Sequence, residues 1–311
     1  METNYYKKSG IVMMNIARDF ITLQAGDKIP TIYEYTELFG VSRGIVQNAI
    51  AALEKENCVA IEKKGVKGTY LTNVDYDKLY PYTNFGSVTG TMPVPLNPFL
   101  SSLTTAICEE MEEADFPFSF AYVTGAQKRL EALQKMVYDF MVVSKSTAQI
   151  YLEKYDFLKL SMSLDQCVYS PEYVIYFFTE GKKEIENGMR VGIDLKCTDQ
   201  AMITKALCRG KDVRYVDFPY IAFGDLVKEK KVDCVVYRLL DLGADEKDFS
   251  FTTVPISSVT GFSEEETKTP VLLTHKDNYG MDKLLRKYIH SERTRDIQKE
   301  VLDGKKSMKF Y

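Results

Sequence analysis

Between Pro30 and Ser42 the sequence leaves the backbone little freedom. Thr31 stands where an N-cap belongs and Glu34 follows three residues on, so hydroxyl and carboxylate can each satisfy a backbone donor and start a helix. Gly40 ends that helix, because glycine accepts the left-handed conformation that a helix terminus commonly needs. Only Val41 separates Gly40 from Ser42, which is placed to cap a second helix. A connection this short and Gly-containing predicts a helix-turn-helix. In the second helix Ile45, Val46, Ala49, Ile50 and Leu53 recur at helical spacing and are expected inward, leaving Arg43, Gly44, Gln47 and Asn48 on the opposite face. Residues 58–62 read as a strand, Lys63-Lys64-Gly65-Val66-Lys67-Gly68 as a basic hairpin tip, and residues 69–72 as the return strand of a two-stranded wing.

That exposed face is what a recognition helix offers to base edges. Arg pairs with guanine, Gln and Asn suit adenine, and Gly44 removes a side chain that would hold the backbone off the groove. The basic tip suits phosphate. A helix over residues 10–23, with Ile11, Met14, Phe20 and Ile21 turned inward, supplies the third helix that such a head needs for a core.

The stretch resembles the winged helix of the GntR family of bacterial regulators. A Gly-Asp-x-x-Pro lead-in, a Val-Ser-Arg turn and a Gly-x-x-Gly-Thr wing recur there in this order; here they are Gly26 to Pro30, Val41-Ser42-Arg43 and Gly65 to Thr69. The resemblance implies DNA contact by Arg43 and the wing. Two positions depart from the family pattern: Tyr33 and Gln47 each stand where an Arg is usual. The candidate DNA-contacting residues are therefore Thr31, Tyr33, Ser42, Arg43, Gly44, Gln47 and Asn48, with Lys63, Lys64, Lys67 and Gly68 on the wing.

The chain of 311 residues has room for about two domains, and its 45% hydrophobic content is ample for packed cores. Net charge is −4, unevenly held: residues 1–74 carry nine Lys/Arg against eight Asp/Glu, the remainder 31 against 36. DNA binding must then come from local placement of charge and not from bulk attraction. Six cysteines show no C-x-x-C pair, which reads as free thiols in a reducing cytoplasm. No signal peptide and no apolar run of membrane-spanning length is visible, so a cytoplasmic protein with no membrane partner is expected.

Residues 72–86 hold Tyr76, Tyr80, Tyr82 and Phe85 with one Pro81, too aromatic for a flexible linker and suited to pinning the connection against a domain. The expected domains are 1–78, the winged helix-turn-helix, and 79–311. The second part alternates: strands at 87–92, 118–123 and 140–143 with helices at 98–113 and 126–138, the latter with Leu130, Leu133 and Val137 inward. This order implies parallel strands with right-handed crossovers. Strand-like runs at 158–164 and 173–178 break the pattern. It resumes with strands at 190–194, 213–217 and 232–237 and helices at 199–208 and 223–230, then strands at 251–256 and 271–274, and a final helix from Met281.

Two α/β lobes joined by a double crossing resemble the type II periplasmic-binding-protein fold. Val191 to Asp194 followed by Thr198-Asp199-Gln200 looks like the opening of its second lobe, and Lys231 to Val236 like a closing strand that Tyr138 to Val143 echoes in the first. The fold class expected is α/β, a winged helix-turn-helix followed by a two-lobed type II periplasmic-binding-protein-like domain. Body and head together resemble the YhfZ group of regulators.

No G-x-x-x-x-G-K, G-x-G-x-x-G or G-x-S-x-G motif occurs, and His275 and His290 lack partners at metal-ligand spacing, so neither enzyme, cofactor nor metal is expected. The run Glu264-Glu265-Glu266 reads as a solvated loop. The leading reading is a regulator that binds double-stranded operator DNA as a homodimer and a small molecule between its lobes. The alternatives are a DNA-binding protein whose body only dimerises, and a cytoplasmic small-molecule-binding protein with a vestigial head.

In an open α/β sheet the cleft lies beyond the carboxyl ends of the strands. The ligand candidates are Thr91 and Asn97 after the first strand, Ser144, Ser146 and Thr147 after the third, Thr198, Asp199 and Gln200 at a helix start, and Arg238 after residues 232–237. Hydroxyls and helix-start N–H groups with one Arg suit an anionic or zwitterionic metabolite, with Arg238 as charge partner. Asp199 suits an amino or hydroxyl group instead. Each Ser and Thr taken singly also reads as a helix cap.

Overall fold

A computed structural model describes residues 7–114, 116–179, 181–229, 231–239, 251–256 and 263–309. The head comprises α1 (Lys8–Phe20), β1 (Lys28–Ile29), α2 (Ile32–Phe39), α3 (Arg43–Lys55), β2 (Val59–Lys63) and β3 (Thr69–Val74). The capping box forms: Thr31 Oγ1 accepts from the Glu34 N–H at 3.1 Å, and Glu34 Oε2 accepts from the Thr31 N–H at 2.6 Å. Gly40 is left-handed at φ +59°. Ser42 occupies the N-cap of α3, but its hydroxyl makes no capping bond.

Val46, Ala49, Ile50 and Leu53 are buried as the spacing predicts, while Ile45 is only half-buried. In α1 the inward stripe is Val12, Ile16, Ala17 and Phe20, so Ile11 and Met14 stand at its margins. The wing gains a third strand, since Lys28 and Ile29 pair antiparallel with β3. The aromatic connection is itself a helix, α4 (Tyr76–Thr83), started by Asp75, which accepts from the Lys78 N–H at 3.1 Å. Residue 78, the expected boundary, therefore lies inside a helix.

The first lobe runs β4 (Val88–Met92), α5 (Pro98–Glu112), β5 (Phe118–Tyr122), α6 (Ala126–Gln134), β6 (Phe140–Ser144), α7 (Lys145–Lys154) and β7 (Leu158–Ser163). The chain crosses to β8 (Tyr173–Phe177), β9 (Arg190–Ile193), α8 (Thr198–Leu207), β10 (Arg214–Asp217), α9 (Phe223–Lys228), β11 (Cys234–Arg238) and β12 (Thr252–Pro255). It returns through α10 (Glu264–Lys268) and β13 (Pro270–His275), and closes with α11 (Met281–Tyr288) and α12 (Ser291–Leu302). The sheet orders are β5-β4-β6-β13-β7 and β10-β9-β11-β8-β12. In each, the three βα-linked strands are parallel, one strand (β13 in the first sheet, β8 in the second) runs antiparallel to both of its neighbours, and the edge strand beyond it (β7, β12) runs with the βα-linked set, which is the two-lobed type II arrangement.

Several expectations shift. The helix expected over 126–138 stops at Gln134, and Met136 at φ +52° throws Val137 out of helical phase, leaving it 61% exposed. The acidic run is not a loop but the first turn of α10, where Ser263 caps and carboxylates suit the helix N-terminus. One final helix is two, with α12 packed on α5. The end of the helix expected over 223–230 falls on Lys230, outside the described residues. No helix among the described residues is long and apolar enough to cross a membrane.

The head is seated on the first lobe. Arg18, 8% exposed, donates from Nε to the Thr83 carbonyl oxygen at 2.7 Å and from Nη1 to Asn278 Oδ1 and the Tyr279 carbonyl oxygen, both at 3.2 Å, and stacks over Phe85. Burial lowers its pKa to about 10. Asp19 accepts from the Tyr279 hydroxyl at 2.9 Å and pairs with Lys283. Gly280, at φ +83°, makes this approach possible: a Cβ there would stand 2.8 Å from Arg18 Cβ and 3.2 Å from the Arg18 carbonyl oxygen.

Candidate functional site

Two surfaces carry the residues singled out in the sequence. On the head, Ser42, Arg43, Gly44, Gln47 and Asn48 are exposed together along the start of α3, because the buried stripe holds the opposite side to the core. Tyr33 is 60% exposed on α2. Thr31 is exposed, but its hydroxyl is committed to the capping box. At the wing the Lys64 N–H donates to the Gly68 carbonyl oxygen at 2.8 Å and Gly65–Lys67 forms a tight turn. Lys63 and Lys67 are exposed. Lys64 is partly occupied, pairing with Glu62 at 3.0 Å and lying over the Tyr70 ring. Gly68, at φ +103°, would drive a Cβ to 2.6 Å from Lys28 Cε.

Between the lobes lies a cavity of about 750 Å³. Its walls come from the segments beyond the carboxyl ends of the parallel strands: 93–100 after β4, Thr124 to Arg129 after β5, Val143 and Thr147 at β6 and α7, Asp194 to Asp199 after β9, Asp217 to Tyr220 after β10, and Tyr237 to Leu239 at β11. Tyr169 and Pro171 of the crossing complete it.

Arg238 is buried there. Its guanidinium lies 4.4 Å from the centroid of the Tyr173 ring, donates to the Pro171 carbonyl oxygen at 3.1 Å, and stands 3.7 Å from Asp199 Oδ2. Burial works against its charge, but Tyr173, Tyr220 and Asp199 hold its pKa above the ordinary value. Asp199 Oδ1 accepts from Ser146 Oγ at 2.7 Å and Thr147 Oγ1 at 2.8 Å, across the lobes. Tyr151 and Thr198 share a second cross-lobe hydrogen bond of 2.8 Å. In this structure the lobes are thus latched. Cys197 is beside them, its thiol pushed up to about 11 by burial and by Asp199.

Of the expected ligand residues, Asn97, Thr147, Thr198, Asp199 and Arg238 line this cavity. The other four do not. Thr91 is fully buried and donates to the Ala121 carbonyl oxygen at 2.9 Å, because its side chain leaves the strand toward β5 and not toward the cleft. Ser144 caps α7, and Ser146 is spent on Asp199. Gln200 ties strands together, donating to the Gly192 and Val236 carbonyl oxygens at 3.1 Å each and accepting from the Asp194 N–H at 2.9 Å. Even Asn97 uses its Oδ1 to cap α5.

The sequence reading missed Thr124, Gly125, Lys128 and Arg129, and the aromatic walls Phe99, Tyr169, Tyr220 and Tyr237. A signal for the first group was present: the strand-end rule applied to the first and third strands holds equally for the second. Among the described residues, no group of three or more His, Cys, Asp or Glu is placed to hold a metal ion.

Comparison with known proteins divides the chain into the same two parts. A helix-turn-helix domain model matches residues 24–71, and the YhfZ C-terminal domain model matches residues 75–310. The protein YhfZ of Escherichia coli (strain K12) is 28% identical over 311 residues, covering all of both chains. The crystal structure of YhfZ from Shigella flexneri superposes with a TM-score of 0.62 at 24% identity, covering 74% of this chain and 96% of that one. With the C-terminal model matched over most of its length and a helix-turn-helix head before it, the chain belongs to the YhfZ family.

Proposed function

We propose that the protein is a ligand-responsive transcriptional regulator that binds operator DNA through its winged helix and a small metabolite between its lobes. The observation that carries this is one chain holding both parts: an exposed α3 face of Arg43, Gly44, Gln47 and Asn48, and a cavity between lobes with a buried Arg238 and Asp199. In this reading α3 enters the major groove, and Lys63 and Lys67 take phosphates. A small anionic or zwitterionic effector meets Thr147, Thr198, Asp199 and Arg238. One recognition helix covers few base pairs, so the working form is a homodimer on a two-fold site, acting in the cytoplasm.

Effector binding shifts DNA affinity only as far as it favours one lobe arrangement over another. The Asp199 latch is the natural element to bias. The competing reading, a body that only joins two heads, leaves this cavity without a use. A metabolite panel that never moves the melting temperature would favour it.

The test is enrichment of DNA from random pools by the purified protein, with and without candidate metabolites. A two-fold motif is expected. Arg43→Ala should weaken binding to that motif by about 1 to 3 kcal/mol and relax base preference. Lys67→Ala should lower affinity for all sequences alike and flatten the salt dependence. Wild-type affinity in both variants at moderate salt would sink the DNA-reading role of the head.

A further inference from the structure

A buried guanidinium without a counter-charge is costly, so folded chains rarely keep one idle. Arg129 is such a group. It is 3% exposed on the cavity wall, in the first turns of α6. Its Nη1 donates to the Val123 carbonyl oxygen at 2.8 Å, its Nε has no hydrogen-bond partner, and no carboxylate among the described residues forms an ion pair with it. Arg238, the other buried guanidinium here, is already matched by Asp199.

The helix starts facing the cleft from the first lobe differ in the same sense. Asn97 caps α5 and Ser144 caps α7, whose first turn also binds the carboxylate of Asp199. By contrast α6 begins at Gly125, at φ +85°, with no capping side chain, and Thr124, Gly125 and Ala126 line the cavity beside Arg129. Free N–H groups at a helix start next to an unpaired Arg form an anion subsite.

We propose that Arg129 and the start of α6 bind the carboxylate of the effector, and that the effector is a small organic monocarboxylate with an apolar body. The body follows from the walls that remain, Phe99, Leu100, Tyr169, Pro219 and Tyr220. The neutralised Arg238–Asp199 pair meets an uncharged polar group at the far end. This deepens the effector reading above and rests on the cavity being a ligand site.

The experiment uses the full chain at fixed ionic strength, melted and then titrated calorimetrically with monocarboxylates from valerate to phenylpropionate, each beside its primary amide and amine. Acids are expected to raise the melting temperature, and amides and amines are not. Arg129→Gln should lose about 10- to 100-fold in affinity for the acids, and Arg129→Lys, which keeps charge without the fork, should recover part of it. Amides binding as tightly as acids, acids binding Arg129→Gln unchanged, or no acid of the series shifting the wild type, would each overturn the subsite. DNA is not part of this assay, so failure of operator binding would remove the regulator reading and leave the subsite standing.

Discussion

Arg18→Ala is expected to destabilise the full chain by about 3 kcal/mol and to free the head from the first lobe. The truncation strips partners from the Thr83 and Tyr279 carbonyl oxygens and from Asn278, and removes the stacking on Phe85. Buried acceptors left without a donor cost about 1 to 3 kcal/mol each, partly relieved where water enters. Asp139 adds to the effect. Burial already holds its carboxyl above the usual range, and Arg18 is among the groups that oppose this. Urea denaturation should show a lower midpoint, and proteolysis should begin at the junction around α4. Arg43→Ala, exposed on the same head, is the control and should stay within about 0.5 kcal/mol of wild type. Equal midpoints for both variants would mean that Arg18 does not hold the junction.

Gly90→Ala should cost a similar amount for a different reason. A Cβ at Gly90 would stand 2.4 Å from Phe140 Cζ and 2.6 Å from Phe120 Cε1. These rings cannot step aside, because Phe118, Phe120 and Phe140 pack on one another with centroids 5.1 to 6.2 Å apart. Overpacking a closed core costs about 1 to 3 kcal/mol, and this site belongs at the upper end. The strain would fall on β4, which carries the 93–100 wall of the cavity. Gly10→Ala makes the opposite case: nothing lies within 4 Å of its Cβ, and in the first turn of α1 it removes freedom mainly from the unfolded chain, so it should stabilise by about 0.4 to 1 kcal/mol. Thermal melts of the two variants shifting in the same direction would contradict this account.

What could be read from the residues was set by local rules. The Thr31–Glu34 box, the Gly40 terminus and the buried stripe of α3 depend on neighbours a few positions apart, and each stands in the structure. The parallel direction of the βα-linked strands followed from βα alternation, and the strand-end rule pointed to segments that line the cavity. Side-chain direction was not legible. Thr91 and Gln200 stand at the right ends of their elements yet turn to backbone carbonyls, since hydroxyls and amides take whichever partner tertiary packing supplies. Arg129 was hidden for the converse reason: an Arg in an amphipathic helix reads as solvated until another lobe covers it. The third strand of the wing escaped notice because two residues give no periodicity.

The apolar interior of the head runs without interruption through Leu79 and Phe85 into Met92, Leu103 and Leu272 of the first lobe, whereas the second lobe keeps separate clusters around Phe177 and Tyr176. Heat should therefore divide the molecule at the lobe crossing and not at the end of the wing. Calorimetry is expected to resolve the second lobe as one transition and the head with the first lobe as another. A carboxylate bridging the cavity would draw the two endotherms together, making their separation a direct reading of how firmly the halves are joined.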